Sequence, residues 1–93
     1  MVINDIDFRE TCGGCPEQYD AFDSYGRQVG YVRLRWGHLY AEYPYIGGEV
    51  VYEFQYEDTW LGMFPSDEDR KLHLNMIAVA LKRRMVQDKE KHE

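Results

Sequence analysis

The sequence is poor in cysteine, and it contains no long apolar run. Two cysteines among 93 residues are too few for the disulfide network of small secreted domains. No stretch approaches 18 consecutive apolar residues, so we expect no transmembrane helix and no membrane partner. The first ten residues, MVINDIDFRE, lack the basic and apolar regions of a secretory signal. These absences favour a cytoplasmic protein.

Basic residues are in the minority. The chain has 11 Lys and Arg against 17 Asp and Glu, which gives a formal net charge of −6 at pH 7. A protein of this charge is repelled by the phosphates of nucleic acid and by anionic membranes. Nucleic acid is therefore not the expected partner, and a general DNA coat protein is excluded.

Motifs of the common catalytic sites are missing as well. The sequence has no G-x-S-x-G nucleophile elbow, no H-E-x-x-H zinc motif and no P-loop. Its three histidines and two cysteines show no spacing typical of a catalytic dyad. A chain of 93 residues forms one domain with a modest core, too small for a deep catalytic cleft. We therefore expect a protein that is not an enzyme and that requires no cofactor, unless it binds zinc.

Alternating apolar and polar residues between positions 17 and 56 predict a meander of four antiparallel strands. The four segments are QYDAF, VGYVRLRW, HLYAEY and VVYEFQY. The first two turns between them contain Gly26 and Gly37, which can adopt the positive φ of a tight hairpin turn. A two-residue turn between the two central strands gives this hairpin one apolar and one polar face, which supports that register.

The same register extends across the predicted sheet. It places Val32 opposite Ala41 in the central hairpin. A six-residue connection to the last strand then places Ala41 opposite Tyr52 and Tyr43 opposite Val50. The apolar face is thereby continuous over three strands.

The segment after residue 65 has strong signals for a helix. Ser66 follows a proline and stands three residues before Asp69, which is the spacing of a capping box. The predicted fold class is α+β, with one C-terminal helix packed on the apolar face of the four-stranded meander. The predicted single domain divides into an acidic arm with a CGGC turn (1–16), the meander (17–56), an apolar loop (57–65), the helix (66–88) and a charged tail (89–93). The arm either adds a short strand or lies over the core.

The predicted helix carries more apolar residues than one sheet face can cover, since that face needs a stripe of only about 100°. The first stripe contains Leu72, Met76, Val79, Ala80 and Val86. The second stripe contains Leu74, Ile77, Leu81 and Met85. The preceding loop adds Trp60, Leu61, Met63 and Phe64. Aromatic and Met side chains anchor interfaces, so we interpret the second stripe and the loop as a contact surface for a protein partner or for self-association. The alternative is that the loop residues fold back over the core.

The polar face of the predicted hairpin carries Tyr31, Arg33, Arg35 and Tyr40. Aromatic and arginine side chains are interleaved in this way in some modules that bind single-stranded nucleic acid. The alternative is a solvated sheet face on which Glu42 and Glu53 pair with the arginines. The negative net charge favours this alternative.

Cys12 and Cys15 form a C-x-x-C motif, and the two glycines between them would let both thiolates face one zinc ion. Zinc requires four ligands, so a complete site would need two of His38, His73 and His92, or a symmetric dimer. Two alternatives remain open. The cysteines are either unliganded loop residues or a redox pair, although redox pairs normally open a helix in a parallel fold.

The sequence CPEQYD, followed by GYVRLR, resembles a family of small uncharacterised bacterial and phage proteins, some of which travel on mobile elements. The resemblance covers residues 15 to 53 and implies no activity, fold or ligand. A phage or mobile-element setting favours an interaction protein over an enzyme. We therefore predict a small non-enzymatic protein-interaction domain. Single-stranded nucleic-acid binding and a zinc-stabilised module are the alternatives.

Overall fold

The computed structural model describes residues 1–11 and 16–91. Within these ranges the chain is α+β, as predicted, with one helix packed on an antiparallel sheet. The strands are β1 (Val2–Ile3), β2 (Ile6–Glu10), β3 (Glu17–Phe22), β4 (Gln28–Arg35), β5 (His38–Tyr43) and β6 (Glu49–Gln55), and the helix is α1 (Asp67–Lys91).

The described part of the chain has six strands, and the prediction of four is wrong. The strands lie in chain order, each antiparallel to the next. The two additional strands come from the acidic arm. Asn4 and Asp5 have φ of 52° and 70°, and positive φ at both central residues defines a type I′ turn between β1 and β2. Ile6 and Phe8 of β2 are fully buried, so the arm contributes to the core as a strand.

The predicted register is confirmed in the centre of the sheet and is wrong at one position near its edge. Val32 pairs with Ala41, and Ala41 pairs with Tyr52. Beyond Ala41 the register shifts, so that Tyr43 pairs with Glu49 rather than with Val50. The cause is a β-bulge, in which one extra residue on one strand has no partner opposite.

The helix begins where the capping signals predict. The backbone N–H of Asp69 donates to Ser66 Oγ at 3.0 Å, and the first turn is acidic. The helix continues through Lys91 instead of ending at residue 88, because the lysines and glutamate of the predicted tail are good helix formers.

The two apolar stripes of α1 face the opposite way from the prediction. Leu74, Ile77 and Leu81 are fully buried in the core, and Met85 packs at its edge. These four residues therefore do not form an exposed contact surface, and that part of the predicted surface is corrected. The exposed apolar residues of the helix belong to the first stripe: Leu72, Met76, Val79 and Val86.

A buried ion pair accompanies this orientation of the helix. Glu17, at the start of β3, is only 3% exposed. Its carboxylate accepts hydrogen bonds from Arg70 Nε at 2.6 Å and Arg70 Nη2 at 3.1 Å, and from the Phe64 backbone N–H at 3.1 Å. Arg70 lies on the same side of the helix as Leu74 and Ile77, at helical spacings of four and seven residues. The ion pair therefore forms on the side of the helix that faces the sheet.

Candidate protein-interaction site

Two tryptophans lie side by side on the surface: Trp36 in the β4–β5 turn and Trp60 in the segment after β6. Trp36 is 54% exposed and Trp60 is 81% exposed. Their ring centroids are 5.7 Å apart in an edge-to-face arrangement. The Arg35 guanidinium lies 5.6 Å from the centroid of the Trp36 ring. A shallow concavity of about 210 Å³ lies here, and its lining residues are Pro16, Arg35, Trp36, Trp60 and Gly62. We call the surface formed by these five residues the tryptophan platform.

Backbone hydrogen bonds hold the platform in place. Gly37, in the turn after β4, donates to the Leu61 carbonyl at 2.7 Å and accepts from the Tyr56 N–H at 2.8 Å. The Glu17 N–H donates to the Gly62 carbonyl at 2.7 Å. The segment that carries Trp60 is therefore attached to both β3 and the β4–β5 turn. Because this backbone is already ordered, a partner that binds the platform need not order it.

Gly37 should be the most sensitive glycine in this region. Its φ is +71°, and an added Cβ would lie 2.4 Å from the Asp58 carbonyl oxygen. Gly37→Ala is therefore expected to lower the free energy of unfolding by roughly 2–3 kcal/mol, because backbone strain and a clash with backbone act together. Gly26→Ala is the matched control, since Gly26 has φ +81° and nothing within 4 Å of the added Cβ.

Urea denaturation measures the free energy of unfolding of both glycine variants. The control should lose only about 1 kcal/mol, the cost of placing alanine at a positive φ. Equal losses in the two variants would show that the Trp60 segment is not fixed against the turn.

The four predicted loop residues divide between surface and core. Trp60 and Met63 are exposed, Leu61 is half-buried, and Phe64 is buried in the core. The predicted contact surface therefore describes the exposed part of the loop, and the alternative of a loop folded over the core describes Phe64. Trp36 was absent from the predicted site. The feature that could have identified it is its position in a two-residue hairpin turn. There φ is +54°, and the side chain cannot join the apolar face of either strand.

The predicted nucleic-acid residues lie on one face of the sheet, but their geometry does not favour base stacking. Tyr31 is only 7% exposed, and its hydroxyl donates to Gln18 Oε1 at 2.8 Å. Its ring packs against Tyr40, with centroids 6.5 Å apart. Arg33 is half-buried and Arg35 is exposed, so one arginine is freely available. This arrangement supports the solvated polar face instead.

The expected arginine–glutamate pairs on that face are replaced by other contacts. Glu53 Oε2 lies 3.0 Å from His38 Nε2, and Glu42 accepts a hydrogen bond from the Gly47 N–H at 3.3 Å. His38 is thus part of a surface pair on the open side of the sheet.

The zinc hypothesis falls largely outside the described residues, since Cys12, Cys15 and His92 are not among them. His73 is buried on the helix side of the sheet, with Nδ1 2.8 Å from the Tyr52 hydroxyl. His38 is on the opposite side, so these two histidines do not converge on one ion. Within residues 1–11 and 16–91, no group of three or more His, Cys, Asp or Glu could hold a metal. A zinc site at the two cysteines stays a prediction.

The chain was compared with protein-family models, with curated proteins and with solved structures, and none of them matches. In the ranges that the structure describes, no helix has the length and apolar composition needed to cross a bilayer. The fold and the site together define an α+β domain that presents a rigid aromatic surface.

Proposed function

We propose that this protein is a small, non-enzymatic interaction domain that binds a segment of a protein partner on the tryptophan platform. The observation that carries the proposal is the exposure of Trp36 and Trp60 on a fixed backbone. An indole that becomes covered removes roughly 150–250 Å² from water, at about 25 cal/mol per Å². Tryptophan and arginine are also the residues that most often dominate binding energy at interfaces.

The chemistry of the platform favours an extended, proline-containing segment. Polyproline II segments dock in grooves lined by aromatic side chains, and they lose little conformational entropy because they are already extended. Pro16 and Gly62 supply uncharged surface between the two indoles and β3. Arg35 stands at the rim and provides a positive charge. The partner segment should therefore carry an acidic residue close to its proline.

Base stacking is the other use of two exposed indoles. The platform has one arginine to contact phosphate, and the whole chain carries a net charge of −6. Binding of single strands depends on a positively charged groove that follows the backbone. The charge of this protein therefore favours a peptide over a nucleic acid.

Trp60→Ala should remove binding and leave the fold intact, because Trp60 is 81% exposed. Selection of a random peptide display library on the immobilised wild type should enrich proline-containing peptides with an acidic residue. A synthetic peptide of the enriched sequence, titrated by fluorescence anisotropy, should then bind Trp60→Ala at least tenfold more weakly. Thermal unfolding followed by circular dichroism should give the same Tm for both proteins.

Tyr25→Ala is the matched control for this experiment. Tyr25 is 85% exposed and lies in the turn at the other end of β4, so its removal should change neither binding nor Tm. Equal binding of the peptide to the wild type and to Trp60→Ala would contradict the proposal. Enrichment of no common sequence, or binding of oligothymidylate to the platform, would do the same.

A further inference from the structure

The exposed stripe of α1 has the spacing of a coiled-coil seam. Leu72, Met76, Val79, Arg83 and Val86 follow one another at intervals of four, three, four and three residues. These are the intervals between the a and d positions of a heptad repeat. The four apolar members are 56%, 45%, 39% and 56% exposed, in chain order. A helix that only covers a sheet needs no second apolar stripe on its far side.

We propose that two copies of this chain associate through this stripe, with their helices antiparallel. The charges of α1 favour a second copy of the same helix as the partner, in antiparallel orientation. The first turn contains three acidic residues, Asp67, Glu68 and Asp69. The last three turns are basic overall, with Lys82, Arg83, Arg84, Lys89 and Lys91 against Asp88 and Glu90. Antiparallel pairing places the acidic end of each helix beside the basic end of the other and also opposes the two helix dipoles. Parallel pairing would place like charges together.

An antiparallel pairing centred between Met76 and Val79 aligns the seams of the two copies. In an antiparallel coiled coil, an a residue of one helix packs in a layer with a d residue of the other. The central layers then join Met76 of one copy to Val79 of the other. The next layers join Leu72 to Arg83, whose methylene stem covers the leucine while its guanidinium reaches water. The two-fold axis passes between Met76 and Val79.

The flanking charges agree with this register. It places Glu68 of one copy beside Lys89 of the other, twice by symmetry. Both residues are exposed, and neither takes part in an ion pair among residues 1–11 and 16–91. A shift of one heptad toward the C-terminal end would instead place Lys82 beside its own symmetry mate. Lys82 is already paired with Asp5 of its own chain at 3.3 Å.

Sedimentation equilibrium over a range of protein concentrations tests the association. The wild type should form a dimer, and its Tm should rise with protein concentration. Val79→Glu should raise the dimer Kd by roughly 100-fold or more, because it places a charge in the central layer. Tyr25→Glu adds the same charge away from the seam, at a residue that is 85% exposed, and should leave Kd unchanged. A monomeric wild type up to about 0.5 mM would overturn the proposal, as would a dimer unaffected by Val79→Glu.

A charge exchange tests the direction of the helices. Glu68→Lys and Lys89→Glu should each raise Kd by about tenfold, and the double variant should return it to within about threefold of the wild type. Failure of the double variant to recover would exclude this antiparallel register.

Trp60→Ala separates this proposal from the function proposed for the platform. It should leave the dimer intact, because Trp60 lies outside the helix. Dissociation of the dimer by Trp60→Ala would show that the platform, not the seam, joins the two copies.

Discussion

Replacement of Arg70 by methionine is expected to lower the free energy of unfolding by about 3–5 kcal/mol at pH 7. The carboxylate of Glu17 is buried, and the guanidinium of Arg70 contacts it through two nitrogens at 2.6 and 3.1 Å. Without the guanidinium, the protein would hold a buried negative charge that lacks a counter-charge. In a domain of this size, the expected decrease in Tm is roughly 15–30 °C.

The effect of Arg70→Met should depend on pH. Burial raises the pKa of the Glu17 carboxyl, but hydrogen bonds from Arg70, Tyr19 and the Phe64 N–H outweigh burial and hold this pKa below its ordinary value of 4.5. A lowered folded-state pKa stabilises the protein above the unfolded-state pKa, and this contribution is lost as pH falls through the folded-state value. The variant lacks the hydrogen bonds from Arg70, so we expect the pKa of Glu17 to be higher than in the wild type. The difference in unfolding free energy between wild type and variant should therefore shrink as pH falls from 7 to about 3.5.

Two further variants serve as controls for the ion pair. Arg9→Met removes an arginine that is 59% exposed and that contacts Asp7 on the surface, so it should change stability much less. The double variant Glu17→Met/Arg70→Met removes both buried charges and should be more stable than Arg70→Met alone. Urea denaturation at each pH measures the free energy of unfolding of the wild type, the two single variants and the double variant. If Arg70→Met cost no more than Arg9→Met, the ion pair would not be what holds α1 in its orientation.

Leu81→Ala is expected to lower the free energy of unfolding by about 2–5 kcal/mol. Leu81 is fully buried, and its methyl groups pack on the backbone of β4 at Gly30, where an added Cβ would lie 2.9 Å from each of them. The loss of the leucine therefore leaves a cavity between α1 and the middle of the sheet.

Leu72→Ala is the matched control, since it makes the same change on the opposite side of the helix. Leu72 is 56% exposed, so its loss should cost less than about 1 kcal/mol. Both variants should be measured by urea denaturation at low protein concentration, where a dimer is not populated. A larger loss from Leu72→Ala than from Leu81→Ala would mean that the helix packs through its first stripe, as the sequence alone suggested.

Local patterns were sufficient for the centre of the fold. The alternation on both sides of Trp36 and Gly37 determines the register of the central hairpin, because a slip of one residue would turn its apolar side chains to the solvent. Ser66 and Asp69 likewise predict the start of the helix from a span of four residues. The sequence left open whether the arm adds a strand or lies over the core. It did not predict two strands there, because β1 has only two residues and its turn is formed by Asn4 and Asp5 without the glycine typical of tight hairpins.

The remaining features depend on contacts between distant residues. The side of the helix that faces the sheet carries Arg70, whose partner Glu17 is 53 positions away. The sequence places an apolar stripe on each side of the helix, and no local window distinguishes them. Likewise, Trp60 lies beside Trp36 where the segment after the last strand bonds through Leu61 to Gly37 and through Gly62 to Glu17.

The chain-order arrangement of the six strands has a consequence for synthesis on the ribosome. Each strand pairs with the one made just before it, so the sheet can extend hairpin by hairpin as the chain emerges, with only short loops to close. The helix is made after all the strands, and it bonds back to the first turn: Lys82 Nζ donates to Asn4 Oδ1 at 2.5 Å across 78 positions. Until then, the nascent sheet displays its whole apolar face. In that interval the exposed apolar face makes the nascent chain prone to aggregation.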